Sequence, residues 1–327
     1  MSRIAVLGAA NEEIILVDRD DFEALPLDGQ SIFGKLTIGS NVDIDKAIFT
    51  VGGDGASAAV TLARSGHEVI YLGNLANDAA GEAVNSCFDQ ENIDNSYIEY
   101  LDGATACSVT LLDAKTTECT RLEFKGVTKK TNALDPADLG TIAPDWLYAG
   151  SLNGDMDKLL AFFEAAHALD AKVLFAPGPA EFKEHKKLVG ILSEVDVLVL
   201  NKQEAASLVP GVVLTELLAR LSNYCHIVLI TDGVMGAIAT NHTDAYRLGV
   251  YEQVHLRDTT GAGTAFAAGF LAAYADDEKF EPALRFASAN AAKVTQNYGP
   301  ITGILSNDHK LHPMPITKID DLSKEEK

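Results

Sequence analysis

The stretch RDTTGAGTAFAAGF, residues 257–270, decides how the rest of the chain is read. It follows a β-rich run and opens a long series of small and apolar residues of helical character. A Gly-Ala-Gly turn at the mouth of a helix presents bare backbone N–H groups, and the helix macrodipole adds to their attraction for an anion. Gly261, Ala262 and Gly263 are therefore candidate anion-binding residues, with Thr259 and Thr260 as further donors. The same turn also reads as a tight strand-to-helix junction that holds nothing. It is not a Walker loop, because no Gly-Lys-Ser/Thr follows. It is not a dinucleotide fingerprint either, since that belongs on the first strand, where VLGAANEE offers a single glycine.

Working outward, short aliphatic and β-branched runs alternate with helical periods. Ile4–Leu7, Val69–Leu72, Trp146–Ala149, Val173–Phe175, Val195–Leu200 and Ile227–Thr231 read as strands buried on both faces. Ala56–Ser65, Met156–Leu169 and Leu214–Leu221 carry apolar residues at helical spacing. Such alternation predicts an α/β fold, a largely parallel sheet covered by helices on both sides. Two regions break the pattern, from about Glu12 to Ile48 and from about Tyr97 to Lys125. Their polar/apolar alternation, as in SVTLLDAKTTECTRLEF, predicts antiparallel strands that leave the main sheet and meet as a small lid. The expected division is a core of residues 1–11, 49–96 and 126–327 with a lid of 12–48 and 97–125. The tail DDLSKEEK reads as solvated and frayed.

The 327 residues carry 26 basic and 47 acidic side chains, a formal charge of −21. That balance argues against nucleic acid or an anionic membrane surface as a partner, since both require basic patches. A polyanionic ligand would have to be held locally, by backbone N–H groups or a metal ion. No apolar run reaches the roughly 20 residues of a membrane span, and MSRIAVLGAA reads as a buried strand rather than a leader, so a cytoplasmic location is expected. The four cysteines, Cys87, Cys107, Cys119 and Cys225, have no metal-ligand spacing and read as reduced thiols.

Three further constellations carry chemistry. In TVGGDGASAAVTLARSG, Gly52 and Gly53 precede a helix and allow a close backbone approach to a ligand, or simply a flexible helix start. In LVLNKQEAASL, Asn201 and Glu204 follow a buried strand. Asn-x-x-Glu has the pattern of a capping box, and a carboxylate there also suits a hydrated Mg²⁺ ion, which needs few protein ligands. In LITDGVMGAIA, Thr231 and Gly233 end another strand, at an ordinary glycine turn or beside a ligand.

The order of these four motifs resembles the ribokinase-like (PfkB) family of carbohydrate kinases, over nearly the whole chain. The resemblance implies a three-layer α/β/α core with a mostly parallel central sheet and a small β-sheet lid. It implies transfer of the γ-phosphoryl of ATP, with Mg²⁺, to a hydroxyl of a sugar or nucleoside. By the same likeness Gly261, Ala262 and Gly263 form the anion hole for the transferred group, and Gly52 and Gly53 contact the sugar. Asn201 and Glu204 organise Mg²⁺ and phosphate waters, Thr231 and Gly233 flank the nucleotide, and Ser288 approaches the adenine. Asp258 and Thr260 match positions whose backbone carbonyls hold a monovalent cation such as K⁺ in some members. The lid's exposed strands suggest a homodimer.

The departures lie on the acceptor side. The family pattern ends in Gly-Ala-Gly-Asp, and that Asp takes the proton from the acceptor hydroxyl; here the residue is Thr264. A neutral hydroxyl is no general base at pH 7, and a positioned base is worth ~10²–10⁴ in rate. Glu13 stands where an Asp usually grips sugar hydroxyls, with Asn11 two residues earlier. Ser57 replaces an Asn that commonly faces the sugar, and the Asp-x-Asn-x-Arg pattern of fructokinase-like members gives way to FAPGPAEF. Two readings follow: a kinase whose proton is handled in another way, or a catalytically silent member that binds nucleotide or sugar as a sensor, scaffold or partner subunit. Either reading expects Thr264 on the first turn of a helix, facing Glu13 and Gly53 across a cleft.

Overall fold

A computed structural model describes residues 1–18, 23–27, 31–35, 38–251, 254–276, 279–306 and 309–320, with backbone alone for 23–27 and 31–35. Most of the tail DDLSKEEK lies outside the described residues. β1 (Arg3–Leu7) is buried on both faces, and β2 (Asn11–Asp18) leaves the core directly after it. A separate hairpin of β3 (Glu23–Leu27) and β4 (Ser31–Lys35) follows, and β5 (Lys46–Gly52) returns antiparallel to β2. α1 (Asp54–Arg64), β6 (Glu68–Leu75), α2 (Ala79–Gln90) and β7 (Asp94–Tyr100) restore the strand-helix alternation. β8 (Ala106–Asp113) and β9 (Cys119–Phe124) form the second excursion.

The remaining chain is regular. α3 (Asp138–Ile142), β10 (Trp146–Ala149), α4 (Met156–His167), β11 (Lys172–Phe175) and α5 (His185–Ile191) come first. β12 (Val197–Asn201), α6 (Lys202–Leu208), α7 (Leu214–Leu221) and β13 (Ile227–Thr231) follow. β14 (Ala237–Thr240), β15 (Ala245–Leu248), α8 (Ala262–Tyr274), α9 (Phe280–Val294) and β16 (Ile316–Lys318) close it. The main sheet runs β16-β15-β14-β13-β12-β11-β10-β1-β6-β7. Its strands from β13 to β7 pair in parallel, and β14, β15 and β16 extend it antiparallel.

Alternation along each strand feeds two cores. Ile4, Val6, Trp146 and Tyr148 point to the face covered by α1, α8 and α9. Ala5, Leu7, Leu147 and Ala149 point to the face covered by α4, α5 and α7. Strands apolar on both sides cannot face water, so helices must cover both. The three-layer expectation holds. α8 and α9 pack closely because Gly269 has no side chain; a Cβ there would lie 3.2 Å from the Ala287 Cα.

The lid differs from its expected form in three ways, the first being that β5 carries it to Gly52, past the expected boundary at residue 48. Its strands run β5-β2-β8-β9, but β2 and β8, one from each excursion, pair in parallel rather than antiparallel. Both leave the core in the same direction, so they meet with the same polarity. The expected boundary at Tyr97 is also corrected: Tyr97 to Tyr100 belong to β7, the edge of the main sheet. An edge strand with one wet face alternates just as a lid strand does, so periodicity does not separate them.

Candidate active site

From β1 the chain places β6 on one side of it and then β10 on the other, so the sheet reverses its winding at β1. Ligands of open α/β sheets bind beyond the carboxyl ends of the strands at such a point. A cavity of about 490 Å³ lies there. Ala9, Ser151, Ala176, Asn201 and Thr231 line it from the ends of successive strands, and Ser108, Arg121 and Phe124 line it from the lid.

The Gly-Ala-Gly turn forms one wall. Gly261 is the N-cap of α8 in the left-handed region, φ 79°, and a Cβ would fall 2.5 Å from the Pro300 Cβ, so glycine is required there. Gly261, Gly263 and Thr264 line the cavity. No described group accepts from the N–H groups of Gly263 or Thr264, the orphan donors of a helix start. Thr264 stands on the first turn of α8 in the same cavity wall as Glu13 and Gly53, and its hydroxyl has no partner among the described residues.

The turn is braced from behind. Asp258, 1% exposed, accepts from the N–H of Thr260 (2.9 Å) and of Gly299 (2.9 Å). Buried Asn290 of α9 donates to the Ala265 carbonyl (2.8 Å) and accepts from the Leu305 N–H (2.9 Å). Sequence reading passed over Asn290, although a lone amide in the apolar run FASANAAKV was a signal, since a buried polar group demands partners.

On the acceptor side, Gly53 caps α1 at φ 96°, and a Cβ there would lie 2.3 Å from the Ala9 carbonyl oxygen. The next residue, Asp54, was also missed. Its carboxylate accepts from the N–H groups of Ala9 (2.8 Å), Gly55 (2.9 Å) and Ser151 (2.5 Å), joining three segments of the cavity wall. Burial pushes this carboxyl up, against the pull of those three donors and of the Lys125 charge. Ser57 lines the cavity from the first turns of α1. Glu13 is 1% exposed, and both its oxygens are taken, by the Ser108 and Thr110 hydroxyls (2.5 and 2.7 Å), with Arg121 Nε 3.8 Å away. Asn11 donates to the Ser108 hydroxyl (2.8 Å). The Asn11-x-Glu13 pair is thus a strut between core and lid as well as part of the wall.

At the other end, Asn201 and Glu204 form a complete capping box: Asn201 Oδ1 accepts from the Glu204 N–H (2.9 Å), and Glu204 Oε2 from the Asn201 N–H (2.8 Å). Both also line the cavity. Burial pushes the Glu204 carboxyl up, and the Asn201 N–H draws it partly back. Thr231 lines the cavity, whereas Gly52, Gly233, Asp258, Ala262 and Ser288 do not; Ser288 sits in the middle of α9. Every carboxylate of the wall is already held: Glu13, Asp54 and Glu204 as described, and Glu123 by Lys125 at 2.8 Å.

Residues 36–307 match the sequence profile described as pfkB family carbohydrate kinase. The chain belongs to this family. Ribokinase from Haemophilus influenzae is 26% identical over 266 residues, which cover 79% of this chain and 84% of that protein. The 5-dehydro-2-deoxygluconokinase of Clostridium botulinum is 25% identical over 305 residues, 85% of this chain and 88% of that one. Among solved structures, Arabidopsis thaliana ribokinase complexed with ribose and ATP superposes with a TM-score of 0.74 at 20% identity, covering 94% of this chain and 96% of its own. Family membership identifies the chain as an ATP-dependent carbohydrate kinase by descent, with Thr264 at the end of the Gly-Ala-Gly motif.

Proposed function

We propose that this chain transfers the γ-phosphoryl group of ATP to a hydroxyl of a sugar or related small molecule, at a rate held down by Thr264. The observation that carries the reading is the open N-terminus of α8 in one cavity with Gly53 on one side and Asn201, Glu204 and Thr231 on the other. Phosphoryl transfer depends chiefly on positioning and charge stabilisation. The N–H groups of Gly263 and Thr264 would take the charge that develops on the transferred group. Gly53 would let the acceptor approach the backbone, and Asp54 would hold the three segments around it in register.

Glu204 keeps Oε1 clear of the capping box and suits a hydrated Mg²⁺, which would neutralise phosphate charge when bound. The Thr260 hydroxyl is buried with no partner in the turn assigned by family likeness to a monovalent cation, which favours an ion such as K⁺ there. All four cysteines are unpaired, in keeping with a reducing cytoplasm. No described helix is long and apolar enough to cross a membrane.

A second reading has one observation in its favour. With Thr264 neutral and every wall carboxylate engaged, the chain would bind nucleotide or sugar without turnover. Purified protein separates the two. Given ATP, Mg²⁺ and a panel of sugars and nucleosides, a kinase releases ADP well above the no-acceptor control. Thermal stabilisation by ATP without ADP release from any acceptor would instead favour the silent binder.

The partner we propose is a second copy of the chain. β9 is the lid's edge strand, exposed along its length, with Leu122 and Phe124 57% and 58% exposed. An unpaired edge bearing large apolar side chains is suited to pairing. Sedimentation equilibrium at micromolar concentration should give a dimer mass; a monomer would refute the proposal.

A further inference from the structure

Of the charged side chains lining the cavity, Lys183 alone makes no hydrogen bond or ion pair with a described group. It projects from the turn Glu181–Glu184 after β11, and that turn is locked. Glu181 is 0% exposed and accepts from the Ser151 hydroxyl (2.8 Å), the Leu152 N–H (3.0 Å), the Gly154 N–H (2.8 Å) and the Gly178 N–H (3.0 Å). Lys183 therefore starts from a fixed point on the rim. The clamp ties its turn to the loop after β10, where Ser151 also meets Asp54, and so to the acceptor side rather than to Asn201 and Glu204. Arg121 and Lys125 reach the same cavity from the lid.

In a chain of charge −21, an anionic small molecule is repelled overall and needs a local cation to enter. An ammonium held at a cavity rim without a protein partner is matched by an anionic oxygen group of the ligand. We propose that the acceptor is an acidic sugar, a polyhydroxy chain bearing a carboxylate or a phosphate, and that Lys183 binds that anionic group. This rests on the kinase reading of the cavity but concerns the acceptor alone.

The test measures binding without nucleotide, by calorimetry, for matched pairs: gluconate with glucose, and fructose 6-phosphate with fructose. At least one anionic member should bind roughly tenfold or more tighter than its neutral partner, since a hydrogen bond to a charged group carries that much. The favoured pair tells carboxylate from phosphate. Lys183→Gln should erase the preference, Lys183→Arg should keep most of it, and ATP affinity should stay unchanged in both. Neutral members binding as well as anionic ones, or no anionic member binding, would overturn the proposal. So would a Lys183→Gln variant that loses ATP affinity and keeps its acceptor preference. ADP formation from a neutral sugar would then leave the kinase reading standing. Conversely, an anionic preference without ADP formation from any acceptor would sink the kinase reading and leave Lys183 as the anchor of an anionic ligand.

Discussion

Thr264→Asp is expected to raise phosphotransfer by about 10²–10⁴-fold, the usual worth of a positioned base. The position is prepared for it. Thr264 is the third residue of α8, in the cavity wall, on the turn whose Gly263 and Thr264 N–H groups have no acceptor among the described residues. A carboxylate in the first turn of a helix is favoured by the macrodipole. The hydroxyl it replaces has no partner among the described residues, so nothing is unpaired by its loss. ADP release by wild type and variant, with the same acceptor panel, measures the gain. If the variant binds ATP and shows no increase with any acceptor, the acceptor end has also diverged, and the idea of a kinase limited only at residue 264 fails.

Glu181→Ala is expected to have the largest effect on folding, a loss of roughly 3–5 kcal/mol, because several donors lose their shared buried acceptor and water replaces it only in part. The Ser151 hydroxyl and the N–H groups of Leu152, Gly154 and Gly178 all donate to this carboxylate. Each buried donor left unpaired costs about 1–3 kcal/mol, less where water enters. Denaturant unfolding monitored by circular dichroism gives the difference. A change under about 1 kcal/mol would mean that the two loops hold their shape without the clamp.

The layers of the fold were legible because strands such as VLVL and IVLI are apolar on both faces, a pattern that only a covered parallel sheet accommodates. The lid was legible as a departure from that pattern but not in its pairing. Which strand meets which depends on the direction in which each excursion leaves the core, and alternation carries no direction. The site was legible where the backbone imposes the residue, as at Gly53 and Gly261, whose positive φ and crowded Cβ positions demand glycine. The Asn201–Glu204 pair was legible in both senses, because a helix cap at a strand's carboxyl end also stands at the cavity. Asp54, Glu181 and Asn290 stayed hidden for one reason. Their partners are mostly backbone N–H and C=O groups distant in the chain, 97 positions away for Asp54 and Ser151, and any sequence supplies those groups. Lys183 was hidden because what marks it is the lack of a partner among the described residues, which no sequence pattern records.

Glu181 and Thr264 stand in opposite relations to selection. A change at Glu181 removes a buried clamp, so it lowers the amount of folded protein and is visible to cellular quality control, whatever the protein's job. A change at residue 264 breaks no side-chain hydrogen bond among the described residues. Mutational drift there is invisible to abundance and is filtered only through the product the cell does or does not receive. Residue 264 can therefore change between threonine and a carboxylate across nearly level folding ground.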